Sequence, residues 1–317
     1  MIEYLISSRT EREDGKRGER GFVIVVVLLI TAILVAVVVE FAYSVYLATA
    51  RAGNFMHGQK AGLLAGRGME FAGAAIEDLL KQNPNLTIEK DGLVFFETEG
   101  DMTITIRVVD ELGKLSLRTV YEQNGVRNDK IHDEYSRLLK NLDIEGGPAL
   151  VGALADWIDS DDDPRLYGAE AADYRAAYNK PYTPGNAYIE SVDDLLMIKG
   201  YDPEIFGLIS PLVSAYNNSG LVNINTATEE ALMALSDDMT EGLARKIKGA
   251  RAETPFRNTS DLMKVSGFEV IGFDLQDKIT VSSDTFRIYS KVTSGEITRQ
   301  AEAVYKIKSG FVYWREM

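Results

Sequence analysis

Eighteen consecutive residues, Phe22 to Val39, are apolar apart from Thr31. As a helix they span roughly 27 Å at about 1.5 Å per residue, close to the thickness of a bilayer's hydrocarbon core. A charged leader, residues 1–21, precedes them and ends in Gly21. The implied cut lies at that boundary, before the apolar run. An ordinary secretory signal is cut after its apolar run and loses it. Here the run would be kept, with Phe22 as the new N-terminus. A plain uncleaved signal anchor is the alternative for the same residues. The leader is long and of mixed charge: Arg9, Arg12, Lys16, Arg17 and Arg20 are offset by Glu3, Glu11, Glu13, Asp14 and Glu19. The basic cluster nearest the apolar run still favours a cytoplasmic N-terminus, because acidic residues count little in the positive-inside rule.

The 317 residues suffice for one membrane helix and two domains. The formal net charge is −14. The leader's charges cancel, so the mature part carries the whole acidic excess. Such a surface repels nucleic acid and gains nothing from anionic lipid. It suits calcium or basic protein partners, unless it is simply a solvated acidic surface. The absence of cysteine excludes disulfides, thiolate metal sites and thiol catalysis. The two histidines, His57 and His132, stand in no ligand pattern.

Helical periodicity continues past Val39 through Phe41, Val45, Ala48, Ala52 and Phe55, then Leu64, Met69, Ile76 and Leu80. One long helix is expected, bent near Gly53 to Gly58 and ending before Asn83-Pro84, with its second half packed on a sheet. Strands are expected at Leu93–Glu97 and Thr103–Val108. After the turn Asp110–Lys114, a return strand is expected at Leu115–Val120. From about Gln123 to Gln276 the pattern is mostly helical. Strands return at Lys278–Val281, Thr285–Val292 and Ile297–Ile307, with Phe311–Trp314 last. Strands on both sides of a helical block imply an insertion into one α+β domain.

The helical block contains an internal repeat. D-L-x-x-[IV]-x-G-[YF] occurs at Asp194–Tyr201 and again at Asp261–Phe268. Aspartate opens a short helix, Leu and Ile or Val face inward, and Gly ends it. Between the copies lies Val222-Asn223-Ile224-Asn225-Thr226-Ala227, where Asn225, Thr226 or Thr228 could cap the next helix. The whole string resembles helix-hairpin-helix repeats, and is SAM-like in its compactness. A DNA-binding hairpin, however, offers main-chain N–H groups from a Gly-rich turn. Here the turn reads Asp237-Asp238-Met239-Thr240, with carboxylates where phosphate would sit. A helical packing module is favoured.

Gly21 and Phe22 match the last leader and first mature positions of a class III signal, the prepilin leader of type IV pilins and type II secretion pseudopilins. That resemblance implies cleavage after Gly21 and N-methylation of Phe22 by a prepilin peptidase. Further motifs follow in order: VVDELGKLSL (Val108–Leu117), Ala155-Asp156-Trp157-Ile158-Asp159-Ser160-Asp161, Tyr167-Gly168-Ala169-Glu170, Asp173-Tyr174, Glu190-Ser191-Val192-Asp193-Asp194-Leu195 and Asn223-Ile224-Asn225-Thr226-Ala227. The ordered set resembles the minor pseudopilin K (GspK) family of the type II secretion pathway. The resemblance implies a pilin-like α+β fold: a long N-terminal helix on an antiparallel sheet, with a large helical domain inserted. The domains are then the leader 1–21, the membrane segment 22–39, a pilin-like part 40–122, the insertion 123–276 and the returning strands 277–317. It further implies the pseudopilins I and J, the major pseudopilin and the peptidase as partners, with the secretin and secreted substrates as further contacts. It places the chain in the inner membrane with its bulk in the periplasm.

Most pilins carry Glu at the fifth mature position, where it pairs with a neighbour's terminal amine inside the membrane. Counting from Phe22, that position is Val26. The resemblance implies that this absence is typical of the K component. It suits a subunit at the filament tip, and so does the bulk of the insertion.

The acidic segment Asp159, Asp161 and Asp163, with Glu170 or Asp173 downstream, offers carboxylates for an oxygen-rich calcium site. It is no EF-hand: Pro164 and Tyr167 interrupt it, and no Gly stands sixth. The resemblance adds calcium in the helical domain as a family trait. A solvated loop capping the preceding helix is the alternative, and Trp157 is expected in the core. No nucleophile–base motif is present, so a structural role rather than an enzyme is expected. A type IV minor pilin and a membrane-anchored DNA receptor are the other classes, the first disfavoured by Val26 and the insertion.

Overall fold

The computed structural model describes residues 3–86, 88, 92–177 and 182–316, with 3–21 described by backbone only; Met1 and Ile2 of the leader lie outside the described residues. The chain divides into two compact units, Met1–Lys60 and Ala61–Met317.

In chain order, helix α1 (Glu3–Gln82) is followed by strands β1 (Leu93–Glu99), β2 (Met102–Asp110) and the short β3 (Leu115–Ser116). Helices α2 (Asp129–Asn141), α3 (Gly147–Ile158), α4 (Ala171–Ala177) and α5 (Pro203–Ile209) come next, then the two-residue strands β4 (Val213–Ser214) and β5 (Val222–Asn223). Helices α6 (Glu229–Met233), α7 (Glu241–Glu253) and α8 (Ile271–Asp274) precede strands β6 (Ile279–Thr280), β7 (Thr285–Ser294), β8 (Ile297–Lys306) and β9 (Gly310–Glu316).

Helix α1 runs without interruption through Gly53 and Gly58 and stops at Gln82, where Asn83-Pro84 cannot continue it. Ala61, Leu64, Ala65, Met69, Ala72 and Ile76 recur at helical spacing and are buried. They pack on Ile104, Ile106, Val108, Ile288, Val292 and Ala303 of the sheet. That sheet has the order β1-β2-β7-β8-β9, and every neighbouring pair is antiparallel. Alternating burial along β2 presents one face to α1. The glycines of this half of α1 serve close packing. A Cβ on Gly68 would lie 2.6 Å from Ser290 Oγ and 3.2 Å from Ile106 Cδ1, and one on Gly73 would lie 2.9 Å from the Tyr305 ring.

Between β2 and β7 the chain builds a second core, running from Leu115 to Ile279. Trp157 belongs to it, 7% exposed, with its ring edge-on to Tyr174. Both copies of the repeat form 3-10 turns, Val192–Met197 and Thr259–Lys264. Their aspartates do not stand before the turn, as the pattern suggested, but within it. Asp194 accepts from the backbone N–H of Glu190 and Ser191, and Asp261 from those of Arg257 and Asn258. Gly200 and Gly267 then take left-handed φ values of 92° and 99°. Thr228 caps α6, while Asn225 is used elsewhere, bonding Phe256 and Val281.

Two expected strands behave differently. The segment after Lys114 does not return along β2; β3 pairs parallel with β4, and Leu115 and Leu117 enter the helical core. Likewise β6 pairs parallel with β5, not with the main sheet. The turn before β3 explains the first departure. One carboxyl oxygen of Asp110 accepts from Thr226 Oγ1 (2.6 Å), Ser283 Oγ (2.5 Å) and Asn223 Nδ2 (3.0 Å), all supplied by the insertion or its exit. Its other oxygen accepts from the Leu112 N–H. Asp110 therefore holds the root of the insertion where a hairpin would have closed. Beside it, Glu111 starts an alternating chain of charges. Lys114 Nζ (2.7 Å) and Arg287 Nε (2.9 Å) bind Glu111; Arg287 also binds Glu302. Glu302 accepts from Arg315 (2.8 Å), which reaches Asp193, the residue before the first repeat copy (2.6 Å). Sheet and insertion are joined through these six side chains.

Candidate functional site

Two features were expected to carry function: the apolar run and the acidic loop. Phe22–Val39 lies inside α1, and the helix from Phe22 is long and apolar enough to cross a membrane. The run's one polar side chain, Thr31, donates its hydroxyl to the Val27 carbonyl, so it adds no unsatisfied group to the hydrocarbon. The Gly21–Phe22 bond is in helical backbone, and Val26 sits one helical turn beyond Phe22.

The acidic loop follows the C-terminus of α3. That helix is buried along Leu150–Ile158, and its last turn brings Asp156 and Asp159 together, both fully buried. A helix C-terminus carrying two buried carboxylates concentrates negative potential and favours a cation there. Asp159, Asp161 and Glu170 each offer an oxygen, all within 4.8 Å of one another. Asp159 Oδ1 and both Glu170 oxygens are buried without a hydrogen-bond partner, and Glu170 is only 4% exposed. Burial, reinforced by the charges of Asp156 and Asp159, pushes Glu170 up to about 7. Burial also raises Asp159, against the opposing pull of Arg165.

Of the five carboxylates the sequence suggested, Asp159, Asp161 and Glu170 come together. Asp163 and Asp173 do not join them. Asp163 is an exposed loop residue whose N–H bonds Asp161. Asp173 accepts from the Glu170 N–H and lies 3.7 Å from Lys199. Sequence reasoning missed four participants. Asp156 accepts from the Arg165 backbone N–H and guanidinium. Arg165 also binds Asp159 and the Gly125 carbonyl. Gly125, at φ 78° in a tight turn, approaches closely enough that a Cβ would lie 3.8 Å from Asp161 Oδ2. Gly168 belongs here too, since a Cβ on it would lie 1.9 Å from Asp156 Oδ2. The only sequence signals for these were Asp156 and Gly168, each inside a motif singled out for other reasons. The hairpin carboxylate Asp237 forms a two-point pair with Arg137.

A membrane-length apolar helix, whose continuation lies as an amphipathic helix on an antiparallel sheet, defines a pilin-type assembly subunit with a helical domain inserted. Models of type II secretion system protein K match residues 113–218 and 222–282, together more than half of the chain. The chain belongs to the type II secretion system protein K family. Among similar proteins, type II secretion system protein K of Aeromonas hydrophila is 27% identical over 229 residues, 68% of this chain and 69% of that one. The Pseudomonas aeruginosa protein K is 26% identical over 268 residues, 78% of this chain and 77% of that one. A crystal structure titled as the GspK-GspI-GspJ complex of enterotoxigenic Escherichia coli contains a chain of the same fold. The TM-score is 0.69 at 16% identity, covering 84% of this chain and 99% of that one. The protein is a minor pseudopilin of type II secretion, a structural and not an enzymatic component, anchored in the inner membrane with its bulk in the periplasm.

Proposed function

We propose that this pseudopilin caps the tip of the secretion pseudopilus and helps to initiate its assembly. Val26 carries the proposal. A subunit without a carboxylate at this depth cannot pair with the terminal amine of a neighbour ahead of it, which suits the tip, the one position with no such neighbour. The insertion between β2 and β7 adds bulk that a packed shaft position would not accommodate. Pseudopilins I and J are the proposed partners, since a neighbour of the same fold is named as a complex with them. Co-expression of the full chain with I and J, followed by purification through a tag on one of them, yields a stable three-part complex if this is right. Recovery of I and J without this chain defeats it.

The leader is proposed to be removed after Gly21 and Phe22 to be N-methylated. Co-expression with a prepilin peptidase then shortens the chain by about 21 residues, the leader's length; an intact N-terminus by mass spectrometry rules out the processing step.

The acidic loop is proposed to hold calcium through Asp159, Asp161 and Glu170. Buried oxygens without hydrogen-bond partners and an all-oxygen donor set are the chemistry calcium accepts. The ion would supply positive charge to the buried Glu170 oxygens and to the Asp159 oxygen that Arg165 leaves unbonded.

A further inference from the structure

We infer that Arg165 is the resident cation of the acidic loop: it keeps the loop folded without metal and sets the calcium affinity lower than the carboxylates alone would give. The inference rests on the calcium proposal above.

The guanidinium is the point on which the loop converges. Its Nη1 donates to Asp156 Oδ1 (2.9 Å) and to Asp159 Oδ2, and its Nη2 donates to the Gly125 carbonyl (3.1 Å). The plane lies over the Tyr121 ring, 5.0 Å from its centroid. The Arg165 backbone N–H binds the same Asp156 carboxylate (3.1 Å to Oδ2). Four elements of the insertion are thereby tied together without an ion: the C-terminal turn of α3, the acidic loop, the tight turn at Gly125 and Tyr121 ahead of it.

Asp159 is shared between two demands. One of its oxygens is taken by Arg165, while the other has no partner and belongs to the residue that joins Asp161 and Glu170. A dication bound there shares a carboxylate with a fixed positive charge. Repulsion between them weakens binding, and the effect is large because the carboxylate is buried and little water screens it. The same charge removes the reason for the ion-free loop to come apart, since Asp156 and Asp159 already have a counter-ion. Calcium therefore binds to a loop that is already formed, and it binds reversibly. Without the arginine, folding of the loop and uptake of the ion become one event.

The test uses the full chain in detergent, stripped of metal with chelator and titrated with calcium chloride by calorimetry. Thermal unfolding is followed in parallel with and without calcium. Arg165→Gln is expected to bind calcium about tenfold more tightly than the parent. Its ion-free form is expected to melt roughly 5 °C lower or more, with calcium restoring the loss. Arg165→Lys keeps the charge and loses the fork, so its affinity stays near the parent's while its ion-free melting point falls part of the way. An Arg165→Gln chain that folds only in calcium also supports the inference. It is overturned if the parent takes up calcium and Arg165→Gln binds no more tightly, if Arg165→Lys shifts affinity as far as Arg165→Gln, or if Arg165→Gln fails to fold even with calcium. No calcium uptake by all three proteins instead removes the calcium proposal itself, and the tuning role with it.

Discussion

Gly68 shows how one residue can mean opposite things in sequence and in structure. By propensity it weakens α1, as does any glycine inside a helix. In the fold it lets the helix backbone approach the sheet at Ser290 and Ile106, where a Cβ has no room. Gly68→Val is therefore expected to destabilise by about 2–3 kcal/mol through overpacking, despite removing a helix-weakening glycine. Denaturant unfolding measures it, and a neutral or stabilising result refutes the close-packing role. Gly168 and Asp156 follow the same logic in the acidic loop, where glycine is needed because a carboxylate occupies the space of its missing side chain. Such steric needs leave no mark on a single sequence.

Among elements, the expectations that held were those with a local cause. The apolar stripe of α1, the alternation along β2 and the strands expected at Thr285–Val292 and Ile297–Ile307 can each be read within a dozen residues, and each matches the structure. The return strand after Lys114 did not form because Asp110 and Glu111 are bound by residues more than a hundred positions away. The charge chain makes a testable claim about these elements. Burial alone would raise Glu111, but Lys114 and Arg287 outweigh it and hold the carboxyl at about 2. Because the folded value lies below the ordinary one, the stabilisation is present above pH 4.5 and is lost as pH falls from there towards 2. Arg287→Met leaves Glu111 and Glu302 without that partner and is expected to cost about 3–5 kcal/mol near neutral pH. Its acid-induced loss between about pH 4.5 and 2 should be smaller than the parent's. Equal acid profiles for the two proteins, measured by unfolding at several pH values, count against the ion chain.

At the scale of the molecule, two hydrophobic cores share the unit Ala61–Met317. They meet through polar side chains: the Asp110 cluster and the chain from Lys114 to Asp193. Because the Asp110 bonds and the Arg287 pairs are buried and directional, the sheet and the insertion are expected to unfold together in the parent protein. Asp110→Ala removes the acceptor shared by Thr226, Ser283 and Asn223. It is expected to separate the unfolding of β1, β2, β7 and β8 from that of the helical core, seen by hydrogen exchange as two groups of amides with different opening energies. A single group in that variant shows that the cores are coupled by other means. The same design serves the proposed tip role, since a large insertion can present a surface only if its root is held firmly.

The sequence by itself determined the membrane helix, its amphipathic continuation, the strands bracketing a helical block, the repeat and the missing carboxylate at Val26. Each depends on composition or spacing along a short stretch, where period and hydrophobicity are decided locally. Tertiary structure alone decided which carboxylates meet, that Arg165 stands among them, and that the D-E pair at the end of β2 binds the insertion to the sheet. Those pairings join residues distant in the chain, and charged side chains have no periodicity that announces their partners. Burial selects them, because a carboxylate withdrawn from water must find a cation or a set of donors wherever the fold brings one near.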